Sequence, residues 1–282
     1  MLSTNKYIIN GGKKNKILID VCYHRNSLKK DILIFSHGFK GFKDWGPFNH
    51  MSKTFARAGY FFLKFNFSYN GTSLDNPVEF VDLDSFGNNN FSIELDDLGL
   101  VIDWLNRDFE FRDEINLEKI NLLGHSRGGG ISILKANEDD RVSKVISWAS
   151  PSDFINTSFR IDDSKLDIWK KKGVTYIYNS RTQQNMPLYY QFYIDCIENM
   201  DRIDIKKAIV NLEQPHLVVH GSEDPTVLIS DAYDFVKWNS KTVFCEIKGA
   251  NHVFGVMHPY DLEEYPAHFQ EAIDVSINFL EG

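Results

Sequence analysis

The sequence predicts an α/β fold, a mostly parallel central sheet flanked by helices on both faces. Three observations carry that prediction. Short apolar runs alternate with longer amphipathic stretches along the 282 residues. Several runs are apolar at nearly every position, as in a central strand covered on both faces. The order strand, helix, strand, helix builds parallel pairs joined by crossovers.

Ile17–Cys22, Ile32–Phe35, Tyr60–Phe67, Ile120–Leu123, Val145–Trp148, His216–His220 and Val243–Ile247 read as the strands. The first two have no helix between them, so one edge of the sheet is expected to be antiparallel. Phe48–Ala58 reads as a helix, and so does Ile93–Leu105, whose Leu98, Val101, Ile102 and Leu105 share one face at helical spacing. Ser126–Ala136 follows its strand almost without a loop, and Val227–Trp238 and Ala267–Leu280 close the chain. From about Ser152 to Leu212 the alternation breaks into a polar, aromatic stretch. A structureless loop of that length is uncommon in a compact domain. The expected organisation is therefore a core of residues 1–151 and 213–282 carrying an inserted, partly helical cap over residues 152–212.

Composition narrows the partners. Lys and Arg number 31 against 39 Asp and Glu, a formal charge of −8. Nucleic acid and anionic membrane repel such a surface. Lys13, Lys14 and Lys16 read as a solvated turn. No apolar run approaches bilayer length, and Met1–Asn10 lacks the apolar stretch and cleavage site of a signal peptide. Cys22, Cys196 and Cys245 are widely spaced without a CxxC pair, so neither a zinc site nor a disulfide framework is indicated. Cys22 and Cys245 lie in apolar runs and read as small buried hydrophobes. The expectation is a reducing, cytoplasmic location with no nucleic-acid and no membrane partner; no segment specifies an oligomeric state.

The chemistry concentrates at strand ends. Gly124-His125-Ser126-Arg127-Gly128 carries the pattern G-x-S-x-G between a strand and a helix. Such a turn raises the Ser126 hydroxyl above the sheet edge and aims the helix amides at the site of a developing oxyanion. A serine needs a base to take its proton. His252, beyond Val243–Ile247, is the candidate. Asp224, at the end of His216–His220, is the candidate to orient it. Glu223 and His258 are the competing acid and base. Asp224-Pro225 also suits a simple turn and helix start. For the oxyanion, the amides of Arg127 and of Phe39, in the loop after Ile32–Phe35, are the candidate donors. His37 is expected to pack beneath that loop.

These motifs, the His37-Gly38 loop, the Gly124–Gly128 turn, the Gly221–Asp224 turn and the His252 loop, resemble the α/β-hydrolase superfamily over roughly Ile32 to Leu280. The order Ser126, Asp224, His252 is the order of that fold. The His-Gly-Phe loop with a late insertion is similar to bacterial feruloyl or cinnamoyl esterases and dienelactone-hydrolase-like proteins. Two departures matter. A serine stands where dienelactone hydrolases proper carry cysteine, and the HGGG run of some lipases and esterases is absent. The resemblance implies a small-molecule ester or amide substrate. The triad chemistry is a ping-pong acyl transfer with no metal or organic cofactor.

The cap aromatics suggest an apolar or aromatic acyl or alcohol group, with Trp169, Tyr189 and Tyr190 as candidate substrate contacts. The same aromatics suit the packing of a small inserted core. Phe65–Gly71 and Phe86–Asn90 are further candidates for the pocket and, equally, for turn chemistry. Two other readings stay open: a peptidase acting on short peptides, and a non-catalytic ligand-binding protein on the same fold.

Overall fold

The computed structural model describes residues 1–12, 15–107, 110–155 and 163–282. The chain opens with a hairpin, β1 (Leu2–Asn10) and β2 (Lys16–His24), followed by β3 (Lys30–Ser36), α1 (Phe48–Arg57) and β4 (Phe61–Asn66). Helices α2 (Leu83–Asn88) and α3 (Phe91–Arg107) lead to β5 (Ile115–His125), α4 (Arg127–Glu138) and β6 (Val142–Trp148). Next come α5 (Asp163–Lys172), a separate hairpin of β7 (Val174–Asn179) and β8 (Gln184–Tyr189), α6 (Gln191–Glu198) and α7 (Ile205–Asn211). The main sheet resumes with β9 (His216–Gly221), α8 (Ser230–Trp238), β10 (Val243–Ile247) and α9 (Ala267–Glu281).

The main sheet has eight strands in the order β1-β2-β4-β3-β5-β6-β9-β10. Every neighbouring pair from β4 to β10 is parallel, whereas β2 is antiparallel to both β1 and β4. The expected antiparallel edge is present, and it is one strand wider than the sequence suggested. The extra strand β1 alternates in exposure, and its polar positions mask it. Only Tyr7 and Ile9 turn toward the core. Lys16 opens β2, while Lys13 and Lys14 lie outside the described residues.

The fully apolar strands are explained by two cores. Ile32 and Ile34 point into one with Leu63, Phe65, Ile120 and Leu122. Their neighbours Leu33 and Phe35 point into the other with Phe62, Leu123, Trp148 and Val219. Successive side chains of a strand take opposite faces, so a strand buried on both sides has no polar positions to show. Helices α3, α4, α7 and α8 cover the first face, and α1 and α9 the second. Each fully buried Phe or Leu there contributes about 1.5–3 kcal/mol over an exposed one.

Among the described residues, the stretch between β6 and β9 does not enclose a core of its own. Trp169, Leu188, Phe192, Cys196 and Ile205 join the cluster beneath α3 and α4, and α7 packs on α4 and α8. No helix among the described residues is long and apolar enough to cross a membrane.

Candidate active site

All four sequence motifs meet at the carboxyl ends of the parallel strands, where open α/β sheets bind ligands. Ser126 sits between β5 and α4 with φ 55° and ψ −124°. That left-handed backbone costs a residue with a Cβ about 1–3 kcal/mol and persists only where its surroundings impose it. The surroundings are tight. The Ser126 amide donates to the Trp148 carbonyl of β6 at 2.8 Å. A methyl group on Gly128 would run into the Ser36 carbonyl of β3, so only glycine lets α4 start this close to the sheet.

His252 links the two other candidates. Its Nδ1 donates to Asp224 Oδ2 at 2.7 Å, and its Nε2 accepts from Ser126 Oγ at 3.0 Å. Asp224 serves its turn and the histidine at once. Oδ1 accepts from the Thr226 and Val227 amides at 2.8 and 3.0 Å, leaving Oδ2 for the imidazole. That turn occupies residues 224–227, which is why α8 begins at Ser230 and not at Val227. Burial opposes the ionisation of Asp224, but hydrogen bonds from His220 and His252 outweigh it and hold the carboxyl well below its ordinary range. Glu223 is exposed. His258 accepts from the Gly46 amide at 3.0 Å and packs on Phe42 and Trp45, so it supports the early loop instead of Ser126.

Two histidines lock the turns, and one of them, His125, was not foreseen in the sequence. His125 Nε2 donates to the His252 carbonyl at 2.9 Å, tying the serine turn to the base's own backbone. Burial pushes its pKa down to about 3, so it stays neutral. His37 lies beneath the oxyanion loop as expected. Its Nδ1 donates to the Gly38 carbonyl at 2.9 Å, its Nε2 accepts from the Phe67 amide, and burial lowers its pKa to about 4.

The loop of residues 37–47 brings Phe39 beside the serine: a Cβ on Gly38 would stand 3.1 Å from that of Ser126. The Phe39 and Arg127 backbone amides donate to no other group among the described residues. The far end of the loop is anchored by a buried ionic cluster that no sequence pattern announces. Lys43 Nζ bonds Asp20 of β2 and Asp44, each at 2.6 Å. Lys64 of β4 bonds Asp20 at 3.0 Å, Asn49 at 2.8 Å and also Asp44. Burial works against charge on Asp44, yet the Lys64 and Lys43 ammoniums prevail and hold its carboxyl low. Hydrogen-bonded pairing of this kind is the condition under which charges can stay buried.

Ser126 and His252 open on a cavity of about 460 Å³. Phe39, Phe91, Phe154 and Phe192 line it with Ile177, Leu188 and Val227, and Lys40, Arg127 and Thr226 add the polar edge. Phe39 and Arg127, expected as oxyanion donors, line this cavity, whereas Trp169, Tyr189 and Tyr190, expected as substrate contacts, do not. Trp169 is buried, with its indole N–H on the Leu188 carbonyl at 2.8 Å. Tyr189 lies over Gly87 and donates to Asp84 at 2.8 Å. Tyr190 packs on Trp169 and Tyr193. Tyr189 faces away because β8 alternates and its inward side belongs to Leu188, whereas Trp169 belongs to α5 and Tyr190 follows the end of β8. Residues 65–71 do not reach the cavity either. Asn66, Phe67, Ser68 and Asn70 edge a separate polar cavity of about 200 Å³. Phe86 backs the Phe39 ring at 5.4 Å, and Asn89 and Asn90 bond Glu94 and Gln191.

Comparison with known proteins agrees with this architecture. The sequence profile of the α/β hydrolase fold matches residues 31–193. A Mycoplasma pneumoniae protein under an esterase/lipase name is 24% identical over 242 residues, covering 79% of this chain and 83% of that one. Among solved structures, ferulic-acid-bound Est1E of Butyrivibrio proteoclasticus superposes with a TM-score of 0.74 at 15% identity over 98% of each chain. The acylaminoacyl peptidase of Pyrococcus horikoshii gives 0.68 at 15% identity, over 99% of this chain and 41% of its own. At these identities the structural likeness speaks for the fold. The profile match spans more than half of the chain, and the chain belongs to the α/β-hydrolase family.

Proposed function

We propose that the protein is a serine hydrolase that cleaves carboxylic esters through an acyl-enzyme. The observation that carries this reading is the unbroken hydrogen-bond relay Asp224–His252–Ser126, opening on a largely apolar cavity. In the first step His252 Nε2 takes the Ser126 proton as Oγ attacks the ester carbonyl. His252 returns that proton to the departing alcohol. Water then gives a proton to His252 and adds to the acyl group, and the carboxylic acid leaves as Ser126 is restored. The Phe39 and Arg127 amides hold the oxyanion. Asp224 keeps the imidazole in the tautomer that accepts at Nε2. The segment 152–212 acts as a cap, with β7–β8 and α6 supplying the apolar roof through Ile177, Leu188 and Phe192.

An ester is favoured over a short peptide. A peptide's charged amino terminus calls for a carboxylate in the cavity, and none lines it among the described residues. The relative with an esterase/lipase name points the same way. The test is hydrolysis of p-nitrophenyl and methyl cinnamate-type esters by the wild type and by Ser126→Ala. Turnover that disappears in the variant supports a serine esterase. A folded protein without turnover on any ester, and with Ser126 unreactive to a fluorophosphonate, overturns it in favour of a binding protein. Fluorophosphonate labelling without ester turnover moves the reading to an amidase or peptidase.

A further inference from the structure

The charge on the cavity wall is opposite to that of the molecule. The chain carries −8 overall, yet the charged side chains lining the cavity among the described residues are Lys40 and Arg127, both cationic. Both are gathered on one ring: the Arg127 guanidinium lies 3.9 Å from the Phe39 centroid, and Lys40 Nζ 6.0 Å from it. Phe91 and Phe192 flank the guanidinium at 4.9 and 5.5 Å.

The two cations differ in how they are satisfied. Arg127 reaches Glu94 at 3.4 Å, a loose contact that leaves most of its five N–H donors without a partner. Lys40 makes no ion pair or hydrogen bond among the described residues. Arg181, on the β7–β8 turn, adds a third charge close by. It packs between Phe42 and Phe80 without an acidic partner among the described residues. Burial first, and Arg181 second, depress the Lys40 ammonium.

From the Lys40–Phe39–Arg127 juxtaposition, and resting on the esterase reading above, we infer that the substrate is an ester bearing a carboxylate. Its apolar body lies among Phe91, Phe154, Ile177 and Leu188, and its anionic group faces Lys40 with Arg127 beside it. A monoester of a dicarboxylic acid has this chemistry. Potential of one sign in a low-dielectric cleft draws the opposite charge from solution and discriminates against neutral or cationic analogues.

The test compares the monoethyl ester of an aromatic dicarboxylic acid with the matching ester in which a methyl group replaces the free carboxylate. Each is assayed with the wild type, Lys40→Met and Lys40→Glu. The expected result is a wild-type kcat/KM roughly 10-fold or more in favour of the anionic ester, carried by KM and shrinking as salt rises. Lys40→Met narrows that ratio, and Lys40→Glu reverses it. Equal or preferred turnover of the neutral ester, with a ratio indifferent to both variants, overturns this inference and leaves the esterase reading standing. Turnover of neither, while Ser126→Ala binds the free dicarboxylate in calorimetry with a Lys40-dependent affinity, sinks the esterase reading and keeps the carboxylate site. Turnover of neither without such binding removes both.

Discussion

On the sheet side of the cavity, Ser126, Asp224 and His252 stand on turns whose backbones are held by specific hydrogen bonds. The Ser126 amide is spent on β6, the Asp224 carboxylate on its own turn, and the His252 carbonyl on His125. On the roof, Ile177, Leu188 and Phe192 offer only apolar surface from a hairpin and a short helix. The first region is fixed by directional bonds and close approach. The second is held by burial, which is non-directional and tolerates replacement of volume. Chemistry is therefore expected to fail abruptly on one side and selectivity to drift on the other.

The largest break should come from the relay. Ser126→Ala or His252→Ala is expected to lower kcat on esters by about 10⁵–10⁶-fold, and Asp224→Asn by about 10⁴-fold, all read by steady-state kinetics on folded protein. Lys64→Met tests the sheet side through its anchor. It leaves Asp20 and Asp44 buried with one ammonium where there were two, and a loss of about 3–5 kcal/mol in urea unfolding is expected.

A pH test separates Asp97 from the rest of the sheet side. This buried carboxylate accepts from the Ser68 amide at 2.7 Å, and burial raises its pKa to about 7. The unfolded chain releases that proton near the ordinary value of 3.8, so between about pH 4 and 7 the folded state holds the extra proton. Stability from this group is thus fully present below pH 4 and falls as pH rises to 7. Asp97→Asn should flatten that part of the profile.

The roof predictions are smaller. Ile177→Ala should leave turnover of short esters within about 3-fold while moving the preference toward bulkier acyl groups, since it removes wall and no directional contact. Tyr189→Phe should be the mildest. It deletes a hydrogen bond to Asp84 outside the cavity and should leave the ester rank order unchanged.

The same contrast explains what could be read in advance. The strand cores, the serine turn and the chain order of Ser126, Asp224 and His252 follow from local patterns, because each motif sits at the end of its own strand. The roof did not yield to that reasoning. Which side chains of the hairpin and its flanking helices look inward depends on where they dock, so Trp169, Tyr189 and Tyr190 stood out by residue type while Leu188 did the lining. Lys40 was hidden in plain view, one residue past Phe39, since a lone lysine in a loop reads as solvated. Strand β1 was masked by its polar alternation. The ionic cluster joins residues 20, 43, 44 and 64 from two strands and a loop, and no local pattern spans that distance.

That cluster also decides where the chain can be cut. Asp20 belongs to the amino-terminal hairpin, some distance in sequence from Ser126, yet it holds both lysines that fasten the loop behind Phe39. A protein nicked or permuted between β2 and β3, so that the hairpin departs, would keep serine, aspartate and histidine and still lose one of the two carboxylates that moor the loop behind Phe39. The first strands support the candidate site from a distance, and a truncation designed around Ser126, Asp224 and His252 alone would discard that support.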